Sequence, residues 1–133
     1  MVVTEERTAR GVRILVTDDD RRWREGLREA FEPQGYETLE AESGEEAIEL
    51  VHEVRLSLVI LDIQLPHLNG IETLRIIRQE MGEGLPAIVV SSEVTDRALA
   101  EALALHAYTV MNKMVGLHQM LYTVSRALAR AGK

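Results

Sequence analysis

The chain contains no cysteine among its 133 residues, which excludes both a disulfide framework and thiolate chemistry. It also lacks any apolar stretch approaching the ~20 residues of a membrane-spanning helix. Residues 1–11 (MVVTEERTARG) mix charges throughout and have no apolar middle of the kind a signal peptide needs, so they are expected to form a disordered leader. Basic runs are missing too. None is longer than Arg21-Arg22, and the net charge is −7, from 22 acidic against 15 basic residues. That balance argues against direct nucleic-acid binding and suits a soluble cytoplasmic protein. There is no glycine-rich phosphate loop: Gly82 and Gly84 flank a turn, which disfavours a nucleotide or flavin enzyme. Four histidines, His52, His67, His106 and His118, share no metal-ligand spacing. No internal repeat, linker or low-complexity segment interrupts the chain.

What is present is a core. With 46% hydrophobic residues, the length fits one compact domain, expected over 12–131. Its centre is the stretch SLVILDIQLP, residues 57–66. Leu58 to Leu61 run without a polar residue and are rich in β-branched side chains, which reads as a strand buried on both faces. The strand delivers a single carboxylate, Asp62, before Pro66 and Asn69-Gly70 break it.

The same pattern of strand followed by acid recurs at 12–16 (VRILV), which ends in Thr17-Asp18-Asp19-Asp20. Residues 21–32 then carry Trp23, Leu27, Ala30 and Phe31 at helical spacing, with Asp20 as N-cap. A partly exposed strand is expected at 36–41, and Ser43-Gly44-Glu45-Glu46 reads as a capping box opening a helix through Val54. Asn69-Gly70-Ile71-Glu72 starts another, carried to Met81 by Ile71, Leu74 and Ile77. A doubly buried strand at 87–90 (AIVV) ends at Ser91-Ser92. A helix over 94–107, a strand over 108–112 ending at Lys113, and a helix over 117–130 complete the series.

Strand and helix alternate five times, which implies an α/β fold of flavodoxin-like (βα)5 type. Its parallel sheet, in the order 2-1-3-4-5, is covered by helices on both faces. Ligands of such sheets bind beyond the carboxyl ends of the strands, where Asp18, Asp19 and Asp62 would converge. Three carboxylates in one crevice repel each other unless a cation holds them ionised, and an oxygen-ligated dication such as Mg2+ suits them. Ser91 and Lys113 end the fourth and fifth strands and would bind phosphoryl oxygens. Together the set supplies what phosphoryl transfer to a carboxylate requires, and the expected product is an aspartyl phosphate.

The motifs ILVTDDD, LVILDIQLPHLNG, PAIVVSS and VMNK resemble those of the receiver domain of two-component response regulators, over about 12–130. The resemblance implies that Asp62 accepts a phosphoryl group from a histidine kinase or phosphotransfer protein. It also implies that Asp18, Asp19 and Asp62 hold magnesium, with the Gln64 backbone carbonyl as a further ligand. Ser91 and Lys113 correspond to the family's hydroxyl and lysine, and Gln64 and Glu93 to positions that tune the lifetime of the phosphoryl group.

Three positions depart from the family. Met114 follows the lysine where proline with a cis bond is usual, and a non-proline cis bond costs ~2.5 to 4 kcal/mol, so a trans link is expected. Val110 occupies the place of the aromatic switch residue, with Tyr108 two residues away and expected on the same face. His106 stands where a glycine commonly ends the fourth helix.

Two function classes follow. One is a phosphorylation-controlled switch, not an enzyme with independent turnover, whose fourth helix, fifth strand and fifth helix bind a downstream protein or a second copy as a homodimer. The other is a pseudo-receiver that binds partners without phosphorylation. The chain ends with its last helix, so no DNA-binding or catalytic output domain is expected within it.

Overall fold

A computed structural model describes residues 11–133; most of the stretch read as a leader, 1–10, lies outside the described residues. Five strands alternate with five helices: β1 (Arg13–Thr17), α1 (Arg21–Phe31), β2 (Glu37–Ala41), α2 (Gly44–Glu53), β3 (Leu58–Asp62), α3 (Gly70–Met81), β4 (Ala87–Ser91), α4 (Asp96–Ala104), β5 (Thr109–Asn112) and α5 (Leu117–Arg130). The strands pair in parallel in the order β2-β1-β3-β4-β5, as the alternation of elements implies.

Side-chain alternation divides the core into two layers. Ile14, Val16, Leu58, Ile60, Ile88, Val90 and Met111 point to one face, where Leu27 and Phe31 of α1 and Met120, Val124 and Leu128 of α5 cover them. Leu15, Val59, Leu61, Ala87 and Val89 point to the other, against Ala47 and Val51 of α2, Leu74 and Ile77 of α3, and Ala102 of α4. β3 and β4 are buried at every position, because both of their faces are covered.

Local chemistry sets the helix ends. Asp20 caps α1 by accepting from the backbone N–H groups of Arg22 and Trp23. Asn69 and Glu72 form a complete capping box on α3. At α2 the expected box is shifted: Ser43 accepts from the Glu46 N–H, but the Glu46 carboxylate turns back to the N–H of Glu42, one residue earlier than Ser43. The first helix stops at Phe31 and tightens into a 3-10 turn over Glu32–Gln34, with Pro33 near its start.

The fourth helix is shorter than its alanine-rich sequence implies. Thr95 caps it, and it closes after Ala104 with Ala107 N–H bonded to the Ala102 carbonyl and His106 N–H to that of Leu103. This closing turn needs a left-handed residue, and His106 supplies it at φ 60°.

The expectation that Tyr108 and Val110 share a face is corrected. Tyr108 packs with the α1/α5 layer and Val110 with the other. Tyr108 lies in the bend before β5, so strand alternation does not govern it.

Candidate phosphoacceptor site

Strand register brings the acids level. Thr17 stands opposite Leu61, so the next residue on each strand, Asp18 and Asp62, reaches the carboxyl edge together. Alternation then aims them alike. Asp18 continues the parity of Ile14 and Val16, Asp62 that of Leu58 and Ile60, and Lys113 that of Met111, all of which face the α1/α5 layer. Ser91 continues the parity of Ala87 and Val89, which face the opposite layer.

Both carboxylates are fully withdrawn from solvent at the strand ends, Asp18 at 0% and Asp62 at 2% exposure. One oxygen of each is held by the backbone of its own turn: Asp18 Oδ1 accepts from the Asp20 N–H at 2.7 Å and Asp62 Oδ1 from the Gln64 N–H at 3.0 Å. The other oxygens face Lys113, whose Nζ lies 2.7 Å from Asp18 Oδ2 and 3.2 Å from Asp62 Oδ2. The contact with Asp62 is a hydrogen bond. The contact with Asp18 is a charge contact without hydrogen-bond alignment, and Asp18 Oδ2 is left buried with no directional donor.

Electrostatics follow from this crowding. Burial pushes the Asp18 carboxyl up to about 6, and repulsion from Asp62 adds to the rise against the opposing pull of Lys113 and the Asp20 N–H. Burial also works against the Lys113 ammonium, but its close contacts with the Asp18 and Asp62 carboxylates outweigh that and raise its value above the ordinary lysine range.

The donor set suits a hard dication. Asp18, Asp19 and Asp62 each offer a carboxylate oxygen within 4.8 Å of the others, with Asp19 at the exposed lip. An all-oxygen set around one undirected buried carboxylate oxygen fits magnesium.

The lysine loop is firmly held although proline is missing. Among the described residues no peptide bond is cis, so the Lys113–Met114 link is trans, as expected. Asn112 orders it: its side-chain oxygen accepts from the Met114 N–H at 2.8 Å and its carbonyl from the Val115 N–H at 3.1 Å. The Lys113 N–H donates to the Ser91 carbonyl at 2.8 Å.

The Ser91 hydroxyl is tied to the cluster through Gln64. Gln64 Nε2 donates to Ser91 Oγ at 2.9 Å and Gln64 Oε1 accepts from the Ser92 N–H at 3.2 Å, while the Ser91 hydroxyl donates to the Glu93 carbonyl at 2.8 Å. The Gln64 side chain thus ties the β3 and β4 loops together.

Two residues of the site escape motif reasoning. Arg24 is 6% exposed and donates to the Asp18 carbonyl at 2.6 Å while pairing with Glu40 at 2.8 Å. Its signal was an arginine on the same helical stripe as Leu27 and Phe31, opposite a charged residue at an inward position of β2. Trp23, read as one of the apolar residues at helical spacing, packs partly into the core and lies over Lys113, its ring centroid 5.2 Å from Nζ.

Comparison with known proteins agrees with this geometry. Residues 14–125 match the family model of the response regulator receiver domain. Response regulator MprA of Mycolicibacterium vanbaalenii is 36% identical over 119 residues, covering 90% of this chain and 51% of that protein. The Mycobacterium leprae protein of the same name is 34% identical over 122 residues, 92% of this chain and 53% of that one. The chain therefore spans about half the length of these relatives. Among solved structures, a CheY-like receiver domain protein from Methanospirillum hungatei superposes with a TM-score of 0.86 at 24% identity, covering 91% of this chain and 96% of that one. The receiver domain of Francisella response regulator 1452 does so at 0.83 and 25%, covering 90% and 98%. Parallel strands in the order 2-1-3-4-5 that end in Asp18, Asp62 and Lys113, together with these matches, establish that the chain belongs to the response regulator receiver domain family.

Proposed function

We propose that the domain, over residues 12–131, is the phosphoacceptor of a two-component phosphorelay and that Asp62 is the residue modified. The observation that carries this reading is the placement of one ammonium, Lys113 Nζ, within 3.2 Å of Asp62 and 2.7 Å of Asp18. In the reaction an Asp62 carboxylate oxygen forms a bond to the phosphorus of the donor as the bond from phosphorus to the donor's leaving atom breaks. Lys113 swings its charge from the carboxylates to the incoming phosphoryl oxygens, where negative charge accumulates. Asp18, Asp19, Asp62 and the Gln64 carbonyl would hold magnesium, which when bound supplies the positive charge that lets a phosphoryl dianion approach these acids. Ser91, released from Gln64, follows the phosphoryl group. The donor is a histidine kinase or a phosphotransfer protein, and the domain turns over no other substrate.

The output is a change in protein binding. On the face made by α4, β5 and α5, α4 carries exposed Leu103 and α5 exposed Leu117 and Tyr122, a surface suited to a downstream protein or to a second copy. No helix among the described residues is long and apolar enough to cross a membrane, and the reading assigns the domain to the cytoplasm, without a nucleic-acid contact of its own.

The test is intact mass after incubation with magnesium and acetyl phosphate. One added phosphoryl group on the native chain and none on Asp62→Ala is the expected result. An unmodified native chain would overturn the reading in favour of a phosphorylation-independent interaction module.

A further inference from the structure

Lys113 is gripped at every polar group it has. Its N–H donates to the Ser91 carbonyl, its ammonium meets Asp18 and Asp62 from the sheet, and its carbonyl accepts from the indole N–H of Trp23 at 3.4 Å. The same indole lies over the ammonium from the side of α1, at 5.2 Å to the ring centroid, which leaves the lysine side chain 16% exposed. One aromatic residue therefore holds both ends of one lysine.

Trp23 is itself fixed by the sequence around it. It occupies the third position of α1, its N–H accepted by the Asp20 cap at 3.3 Å. The next residue, Arg24, is anchored to the Asp18 carbonyl. The indole thus stands on the same turn as the acids and closes over the crevice from a rigid base. Just past Lys113 the chain is exposed, Met114 at 83%, and Trp23 meets the lysine from α1.

Resting on the phosphoacceptor reading, we propose that Trp23 is a positioning residue for Lys113. Its ring holds the ammonium against Asp62 by a cation–π contact, and its N–H pins the backbone carbonyl where a proline is absent. The lysine then meets an incoming phosphoryl group already oriented, and less of its freedom is lost in the transition state.

A double-mutant cycle tests this, read as the initial rate of Asp62 phosphorylation with acetyl phosphate and magnesium. Trp23→Leu is expected to slow the native chain about tenfold, while Trp23→Phe, which keeps a ring face, stays within about threefold. On a Lys113→Met background the remaining rate is expected to be indifferent to Trp23→Leu, because the tryptophan acts through the lysine. Equal losses on both backgrounds would mean a merely structural role and would sink the proposal while leaving the phosphoacceptor reading intact. A native chain that is never modified sinks both. Proton NMR of the native chain gives a second reading that needs no variant to fold: the Lys113 ε-methylene resonances should lie upfield of ordinary lysine positions, and ordinary positions would refute the contact.

Discussion

Arg24 donates from Nη1 to the backbone carbonyl of Asp18 across 2.6 Å, so the buried guanidinium of α1 holds the turn that presents the acidic pair. Its Nε is neutralised by Glu40 of β2, and Arg28 shares the same carboxylate at 2.7 Å. The arrangement joins α1, β2 and the end of β1 at one point.

Replacing Arg24 by methionine keeps much of the volume but removes the carbonyl's donor and one of two partners of Glu40. A loss of about 2 kcal/mol is expected, below the full cost of orphaning a buried charge because Arg28 remains. Urea denaturation measures it as a lower midpoint at unchanged slope. Arg24→Lys should recover less than half, since an ammonium cannot reproduce the fork that spans Glu40 and Asp18. A midpoint within experimental scatter of the native one would show that the buried contact contributes nothing.

Glu40 makes stability depend on acid in a defined direction. Burial by itself would raise its pKa, but the hydrogen bonds and charges of Arg24 and Arg28 more than offset it, and the folded value lies below the ordinary 4.5. A depressed folded value means that the unfolded chain binds the proton more readily. The stabilisation is fully present above about pH 4.5 and is lost as pH falls through the lower folded value. Unfolding free energies from pH 7 down to pH 3 should therefore fall less steeply at the acid end in Glu40→Gln than in the native chain. Parallel profiles would contradict the assignment.

Gly70 begins α3 directly beneath Asp62. A Cβ at this position would press into the backbone carbonyl oxygen of Asp62, which is part of the sheet and cannot yield. Gly70→Ala is expected to cost about 2 kcal/mol by overpacking and to slow Asp62 phosphorylation by shifting its carboxylate. Thermal unfolding and the mass assay read the two effects on one variant.

His106 holds a left-handed backbone at φ 60° at the end of α4. Its carbonyl accepts from Arg78 Nη2 at 3.1 Å, and its ring lies 3.1 Å from Glu83 in an exposed pair. Arg78 also donates to the carbonyls of Leu105 and Leu85, so the turn is held from outside. His106→Gly should raise stability by about 0.5–1 kcal/mol, since glycine bears no left-handed penalty and the exposed pair contributes little. His106→Ala should show no such gain. Equal melting temperatures for the two variants would place the effect elsewhere than in the backbone.

Much of this site was legible before any coordinate, because strand-end acids after doubly buried apolar runs leave few alternatives. Asp18, Asp62 and Lys113 were found that way, and they meet in space. Other features were hidden by their dependence on long-range partners. Tyr108 was assigned to a strand face that it does not share, because the bend before β5 is set by packing and not by hydrophobic period. Ser91 was read as a hydroxyl that would bind phosphoryl oxygens, and the partners that engage it, Gln64 and Glu93, lie on loops that the sequence pattern does not connect.

The sequence by itself determined the element order, the caps at Asp20 and Asn69, the two-sided burial of β3 and β4, and the clustering of acids at one sheet edge. These follow from spacing, side-chain branching and local hydrogen bonding, all of which act within a few residues. Only the tertiary structure decided what closes over the lysine and what holds the acidic turn. Trp23 and Lys113 are 90 residues apart, and Arg24 and Glu40 are 16 residues apart, on a helix and a strand that meet only once the chain has folded. Such contacts depend on strand register and helix placement, which the whole core sets at once and no local pattern encodes.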